Sequence, residues 1–509
     1  MPDLLSSLAV NAVRAPHGRA LVSASGRTLN WSQLSQRLTR LVAGFRERGL
    51  EPGAHVAIGI YHGTIALELY LAAQAAGLVP VVLGRGLGQH LPVVLADLDV
   101  REAFLGPEWG VETSASTAQL WRVDDPETLY ASIDSTAPTS WVPERADDAI
   151  SSIQFSTGST GIPKGLVKTV GADWYDAVNR CLAMGVRPGD SWVAAAPSNT
   201  NVAIGALRCT ILMAGTVLAL DTVSPDAIDA LTLDGVSILP LQSHDWHSVL
   251  ESGTATTLLD RGLRLAVATG GKATPSTLAR LDALMAVHGD VLNIYGLTEA
   301  GSVAVSTNAI RATAGPYCVG IPSPLVQIEV SDTGNDSTES DNTDGWGRVR
   351  VRGNTVSPRY LTFGTEPTED IGSVDGVDAG WLDTGDAGRF DAEGRLEIVG
   401  RWKDAFHLDG QRVFPGELEA AAAAVPGVRE GILVAAGRSA NQDSRTVGFV
   451  YIADTNHPPE EAEIRTALGV AESAILLCVD SLPRNFGGKT DRRVACEILK
   501  AALLAGVRA

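Results

Sequence analysis

The run from Phe155 to Gly165, Phe-Ser-Thr-Gly-Ser-Thr-Gly-Ile-Pro-Lys-Gly, constrains this chain more than any other stretch. Ser156, Thr157, Ser159 and Thr160 supply hydroxyls, Gly158, Gly161 and Gly165 supply pliable backbone, and Lys164 supplies a cation. Such a composition does not hold a helix, because glycine and short hydroxyl side chains favour turns. It does expose backbone N–H groups, side-chain donors and a positive charge together, which is the chemistry of a polyphosphate cradle. A Walker A loop is excluded, since that motif places G-K-[ST] at the opening of a helix. Immediately after Gly165, the residues Leu166-Val167-Lys168-Thr169-Val170 are strand-like. The predicted unit is a strand–loop–strand clamp. A plain Gly/Ser turn accounts for the composition too, but less well for the appended Pro163-Lys164-Gly165.

With 509 residues, 45% hydrophobic and 19% charged, the chain is sized for two or three domains of an ordinary globular enzyme. A formal net charge of −19 argues against a nucleic-acid-binding surface and makes any polyanionic ligand depend on local basic clusters. Five cysteines, at 181, 209, 318, 478 and 496, have no paired spacing, so neither zinc nor a disulfide framework is expected. Met1 to Leu8 lacks the basic and apolar regions of a signal peptide. The apolar stretch Ile65 to Leu83 is broken by Glu68, Gln74, Gly77 and Pro80, so it reads as a buried helix then a strand, with no membrane span. A cytoplasmic location is the expectation.

Trp31, Leu34, Leu38, Leu41, Val42 and Phe45 fall at helical spacing, behind a capping box formed by Asn30 and Gln33. A buried strand at 55–60, a helix from Ile65 to Ala76 and a strand from Leu78 to Leu83 come next. The alternation repeats near 191–220 and 231–300, which predicts an α/β sheet with parallel strands. After about residue 310 the pattern changes to period two, in 326–330 and 347–352, as expected of antiparallel strands. Ser331 to Gly345 is a polar loop between them. Gly388 to Val399 reads as a hairpin. Strands near 431–434 and 447–452 with two helical patterns make a small terminal unit, and the boundary is placed at 400–404.

Three further clusters carry chemistry. Asn293 to Gly301 brings Tyr295, Thr298 and Glu299 to a sheet edge where open α/β folds bind ligands. Glu299 suits Mg²⁺, which takes one or two carboxylates plus phosphate oxygens, and Tyr295 offers a face for a base. Asp383-Thr384-Gly385-Asp386 presents a carboxylate suited to ribose hydroxyls, with Arg401 as a second candidate. Pro483 to Arg493, which contains Lys489 after two glycines, is the local basic cluster that a strongly acidic chain needs. Each taken singly is an ordinary turn.

Taken together and in this order, these motifs resemble the adenylate-forming superfamily of acyl- and aryl-CoA synthetases, peptide-synthetase adenylation domains and luciferases. The resemblance runs from about Leu29 to Arg493 and rests on the 155–165 loop, Tyr295-Gly296-Leu297-Thr298-Glu299, Thr384-Gly385-Asp386, Gly400-Arg401-Trp402-Lys403-Asp404 and Gly487-Gly488-Lys489. It implies an α/β fold with a large N-terminal domain over 1–399, of mixed sheets and a β-barrel-like subdomain at about 310–399. A hinge at 400–404, with Lys403 as its pivot, and a small mobile α+β domain over 405–509 complete it. By the same resemblance, Ser156 through Gly161, Lys164 and Gly165 hold the ATP phosphates, and Thr298 and Glu299 serve catalysis, with Glu299 on Mg²⁺. Gly270, Gly271 and Lys272, with Tyr295 and Gly296, line the adenine side, and Asp386 and Arg401 bind ribose. Lys489 bridges carboxylate and α-phosphate, and the loop around Gly410 enters for the second half-reaction.

Two departures narrow the expectation. The segment Pro197-Ser-Asn-Thr-Asn201-Val202 lacks the family's usual histidine and the aspartate that binds an amino acid's amine. Asn201 and Val202 are the named pocket residues, and an aromatic or otherwise amine-free carboxylic acid is the expected substrate. Lys272-Ala273 replaces the family's commoner small residue and proline. The expected reaction is ATP-dependent ligation of the acid to CoA. The alternatives are delivery to a carrier protein's phosphopantetheine or directly to an amine, a luciferase-like oxidation, and an inactive nucleotide sensor. No fused carrier module is visible after Lys489, an absence that fits both the CoA reading and delivery to a carrier protein or amine.

Overall fold

The computed structural model describes residues 3–505 apart from 62, 110–117, 124–125, 138, 142–144, 156–163, 196, 221–223, 230–234, 332–344, 365–368, 371–379, 409–410, 437–445, 456, 470–473 and 486–488. The expected capping box opens the helix Trp31–Glu47. Gln33 N donates to Asn30 Oδ1 at 2.8 Å, and Asn30 N donates to Gln33 Oε1 at 3.0 Å. Its periodic stripe of Trp31, Leu34, Leu38, Leu41, Val42 and Phe45 is completely buried. The next helix, Thr64–Ala75, is buried at every position, as a helix apolar all round must be. Among the described residues no helix is long and apolar enough to cross a membrane.

Two large sheets carry most of the chain. In an eight-stranded sheet, Val79–Val82, His55–Gly59, Glu102–Leu105 and Gln119–Arg122 run parallel. Ile150–Phe155 joins that parallel run, and Gly165–Thr169 then pairs with it antiparallel. The segment 156–163 therefore connects two neighbouring antiparallel strands, as the clamp reading predicted. A thirteen-stranded sheet contains the parallel run Thr216–Ala219, Ser191–Ala194, Ile238–Leu241, Leu265–Ala268 and Asp290–Leu297. It continues antiparallel through Gly301–Ser306 and Cys318–Pro322. Beyond these come Leu396–Arg401, Leu382–Phe390, Gly347–Arg352 and Gln327–Ser331, all antiparallel. The β-rich region after residue 310 is thus continuous with the main sheet. Leu21, Val56, Ile58 and Val82 from both sheets share one core cluster with the helices Trp31–Glu47, Thr64–Ala75 and Asn201–Leu212, so a helical layer lies between them.

The terminal segment builds its own small unit. Val428–Ala436 and Thr446–Ala453 pair antiparallel, and Ile475–Cys478 adds a parallel third strand. Three helices, Pro415–Ala423, Glu461–Leu468 and Arg492–Leu504, pack on it. Sequence patterning predicted two strands and two helices. The third strand is four residues long and fully buried only at Ile475, too short for a periodic signal. Every member of the two core clusters here lies at or beyond Phe406.

Candidate active site

The site is assembled where the two sheets meet. Lys164 follows the 156–163 segment, so Ser156, Thr157, Gly158, Ser159, Thr160 and Gly161 lie outside the described residues, whereas Gly165 begins the strand Gly165–Thr169. The Lys164 ammonium sits 5.7 Å from the centroid of the Tyr360 ring. Tyr360 lies opposite Leu166 on the neighbouring strand, and its hydroxyl donates to Glu299 Oε1 at 2.6 Å. One tyrosine therefore joins the phosphate-loop lysine to the turn carboxylate. Its sequence signal was weak, since a tyrosine in a short strand is usually a packing residue.

Tyr295 and Gly296 belong to the strand Asp290–Leu297, and the chain then reverses tightly through Thr298, Glu299 and Ala300 into Gly301–Ser306. Gly301 adopts φ +72°, and a Cβ there would stand 1.9 Å from Asp176 Oδ1, so only glycine closes this turn. The Tyr295 hydroxyl donates to Asp386 Oδ2 at 2.5 Å. Asp386 and Arg401 face each other across adjacent strands, with Arg401 Nε 3.2 Å from Asp386 Oδ1. Arg401 Nη1 also donates to the Thr384 carbonyl at 2.7 Å. Burial pushes the Asp386 carboxyl above its ordinary range, while Arg401, the Tyr295 hydroxyl and Lys489 hold it down. A cavity of about 70 Å³ is lined by Leu297, Glu299, Tyr360, Leu382, Asp383, Thr384 and Arg401.

Lys489 reaches this cleft from the terminal unit. Its backbone N–H donates to Asn485 Oδ1 at 3.1 Å. The side chain is open to solvent, yet protein packed around the cleft lowers its pKa, as does Arg401. Glu299 and Asp386 oppose that shift. The ammonium is thus within Coulombic range of all three residues that sequence motifs assigned to metal and ribose. Gly487 and Gly488 before it, and Gly410, are outside the described residues.

Other expected residues are placed less centrally. Gly270, at φ +81°, lies just past the strand Leu265–Ala268 and packs on Gln242, with Gly271 exposed beside it. Lys272 donates to the Gly416 carbonyl at 3.2 Å, at the start of the helix Pro415–Ala423. It therefore tethers the two units, and burial lowers its pKa while Glu419 raises it. Asn201 is 8% exposed, and its Oδ1 accepts from Arg208 at 3.5 Å, so its carbonyl faces a buried guanidinium. Val202 beside it is half-buried, and Lys403 is exposed on a short turn after Arg401.

Lys168 escaped sequence reasoning altogether. It is 1% exposed, and its ammonium donates to the Thr298 carbonyl at 2.6 Å. Burial lowers its pKa to about 8, against the pull of Asp176 and Asp173. The available signal was a lysine inside an otherwise apolar strand.

Among the described residues no group of three or more His, Cys, Asp or Glu side chains is arranged to hold a metal. Glu299 alone fits a different need. With Oε1 taken by Tyr360, its Oε2 accepts no hydrogen bond from the described residues, and the carboxylate borders the cleft. One carboxylate suits an ion held mainly by phosphate oxygens.

A turn carboxylate and a paired Asp–Arg, beside a strand–loop–strand connection and within Coulombic range of a lysine from the terminal unit, fit a nucleotide-dependent ligase. Residues 8–361 match the family model for the AMP-binding enzyme, and the chain belongs to that family. It is 28% identical over 431 residues to a feruloyl-CoA synthase from Amycolatopsis sp, covering 81% of this chain and 82% of the relative. It is 26% identical over 538 residues to the fatty acid–[acyl-carrier-protein] ligase ScoC of Streptomyces coeruleorubidus, covering 97% and 96%. The amide bond synthetase McbA from Marinactinospora thermotolerans superposes with a TM-score of 0.79 at 21% identity, over 98% of this chain and 100% of that one. The protein is an adenylate-forming acid ligase.

Proposed function

We propose that the protein adenylates an aromatic or other amine-free carboxylic acid and transfers the acyl group to CoA. In the first half-reaction a carboxylate oxygen attacks the α-phosphorus of ATP, giving acyl-AMP and releasing pyrophosphate. In the second, the CoA thiolate attacks the acyl carbon and AMP leaves. Two anions meet in the first step, so a cation at the meeting point stabilises the transition state more than the ground state. Lys489 fills that role. Asp386 and Arg401 take the ribose, the 156–165 loop with Lys164 takes the β- and γ-phosphates, and Gly270 and Gly271 border the adenine. Glu299, with Thr298 beside it, would hold Mg²⁺, which supplies charge neutralisation on the phosphates.

The observation that carries this reading is the cleft that brings Glu299 and Arg401 together, with Asp386 paired to Arg401 and Lys489 in Coulombic range of all three. The terminal unit's own two core clusters, joined to the body's core only by the small cluster around Phe414 among the described residues, support a body over 1–399, a hinge at 400–404 centred on Lys403, and a cap over 405–509. Rotation about that hinge would withdraw Lys489 and bring in the loop around Gly410 for thiol attack. The five cysteines are all free thiols, which fits a reducing cytoplasm. A second reading, delivery to a carrier protein or an amine, is favoured by the likeness to a carrier-protein ligase and an amide bond synthetase.

Exchange of labelled pyrophosphate into ATP, tested with a panel of aryl and alkyl acids, checks the adenylation step. Exchange that requires an acid is the expected result, and none with any acid would end the proposal. Supplying CoA, a carrier protein and simple amines in turn, with products identified by mass, separates the two acceptors.

A further inference from the structure

Behind the Thr298–Glu299 turn lies a buried polar cluster that the proposed reaction does not use. Lys168 stands at its centre, on the strand Gly165–Thr169, four residues beyond Lys164. Helix Val170–Met184 contributes Asp173, Asp176, Asn179 and Arg180, all buried, and helix Asn201–Leu212 contributes Arg208. Arg208 Nη2 is 2.7 Å from Asp173 Oδ1, and Arg180 Nε is 2.9 Å from Asp176 Oδ1. The two carboxylates thus each have a guanidinium already. Lys168 is the additional cation, and the other acid within its Coulombic reach is Glu299.

The turn itself is pinned from this cluster at three successive places. Lys168 Nζ holds the Thr298 carbonyl at 2.6 Å. Asp176 packs against the bare Cα of Gly301, and Asn179 Nδ2 donates to the Ser302 carbonyl at 2.8 Å. A buried ammonium costs folding free energy that an apolar side chain of similar length would not. Its placement on one carbonyl of the metal turn is therefore a structural choice that needs a reason. The strand that carries it also carries Gly165 and follows directly from Lys164, so the phosphate loop and the metal turn share one rigid strut.

We infer that Lys168 is a positioning residue for adenylation: by holding the Thr298 carbonyl it fixes the Glu299 carboxylate opposite Lys164, while Tyr360 fixes the same carboxylate from the front. This rests on the assignment of Glu299 to the metal in the proposed function. Misplacing a reacting or coordinating group by about 1 Å costs up to roughly 10²-fold, so the effect belongs to the first half-reaction and to the metal.

The test compares wild type, Lys168→Met and Lys168→Gln in acid-dependent pyrophosphate exchange over a Mg²⁺ titration. It also measures acyl transfer from a supplied acyl adenylate to the acceptor the wild type uses. Lys168→Met is expected to lower maximal exchange by roughly tenfold to a hundredfold and to raise the Mg²⁺ concentration for half-maximal exchange several-fold. Transfer from supplied adenylate is expected to stay near wild type. Lys168→Gln, which keeps a donor without the charge, is expected to fall between them, and it carries the test if the Met variant does not fold. Exchange with a wild-type Mg²⁺ requirement in a folded Lys168→Met variant would overturn the inference. Equal loss in both half-reactions would also overturn it, because a role in folding alone predicts that pattern. Failure of the wild type itself to exchange would instead overturn the parent reading, and this inference with it.

Discussion

The body and the terminal unit contribute to the same cleft in opposite ways. On the body, the carboxylates of the site are tied down. Asp386 is held by Tyr295 and Arg401, Glu299 by Tyr360, and the intervening turn by Lys168, Asp176 and Asn179. On the terminal unit, Lys489 stands on a loop with its side chain open to solvent, and its backbone N–H and carbonyl both bond to Asn485. From Phe406 onward the terminal unit has two core clusters of its own, and among the described residues there Phe414 alone reaches back to pack with Trp346, Ala387 and Val399 of the body. Polar contacts bridge the units as well: Lys272 to the Gly416 carbonyl, Trp346 Nε1 to Glu417 Oε1 at 3.0 Å, and Arg429 with His247. Under the proposed function, such a site would keep a fixed nucleotide half and a cation that moves with the terminal unit, the division of labour that a two-step reaction in one cleft requires.

The contrast is sharpened first by removing a fixed group. Glu299→Gln is expected to slow adenylation by roughly 10²-fold or more and to weaken its dependence on Mg²⁺. Rapid-quench measurement of acyl-AMP formation over a metal titration checks this. Asp386→Asn, which leaves Arg401 facing a neutral amide, is expected to cost about tenfold in kcat/KM for ATP, near the 1.5–3 kcal/mol of a charge-assisted hydrogen bond. Its effect on transfer from supplied acyl adenylate should be comparable, because both half-reactions use the bound nucleotide.

The mobile group has its own signature in pH. Burial and Arg401 lower the pKa of Lys489, so its ammonium is present at neutral pH and is lost as pH rises, earlier than for an ordinary lysine. Adenylation should therefore fall on the alkaline side, below the usual lysine value of about 10.4. Lys489→Arg should push that decline to higher pH, since guanidinium does not titrate there. A decline that stays put in Lys489→Arg would show that another group sets it.

The smallest effect belongs to the bridges. Lys272→Ala or Trp346→Phe each removes one hydrogen bond between the units, about 0.5–1.5 kcal/mol, so adenylation should slow only a few-fold. Transfer from supplied adenylate should hold or rise. A loss confined to transfer would place these contacts in the other pose.

The sequence carried the alternation of strands and helices, the clamp topology and the Asn30–Gln33 cap, because each is a local pattern of period or spacing. It also marked Glu299, Asp386, Arg401 and Lys489, since charged residues near glycines are conspicuous, although 383–386, read as a turn, lies within the strand Leu382–Phe390. Lys168, Tyr360 and Asp176 stayed hidden for a physical reason. Their importance lies in what they touch across sheets and layers, and nothing within their own short segments announces a partner 61 or more positions away. Lys272 adds a contact of the same hidden kind: the resemblance placed it on the adenine side, and its side chain also spans to the Gly416 carbonyl.

The central claim is tested most directly by separate rates for the two half-reactions in Lys489→Ala. Acyl-AMP formation is predicted to fall at least roughly 10²-fold, while transfer from supplied acyl adenylate stays within a few-fold of wild type. Equal loss of both rates, or adenylation undiminished, would contradict a removable cation shared between two poses.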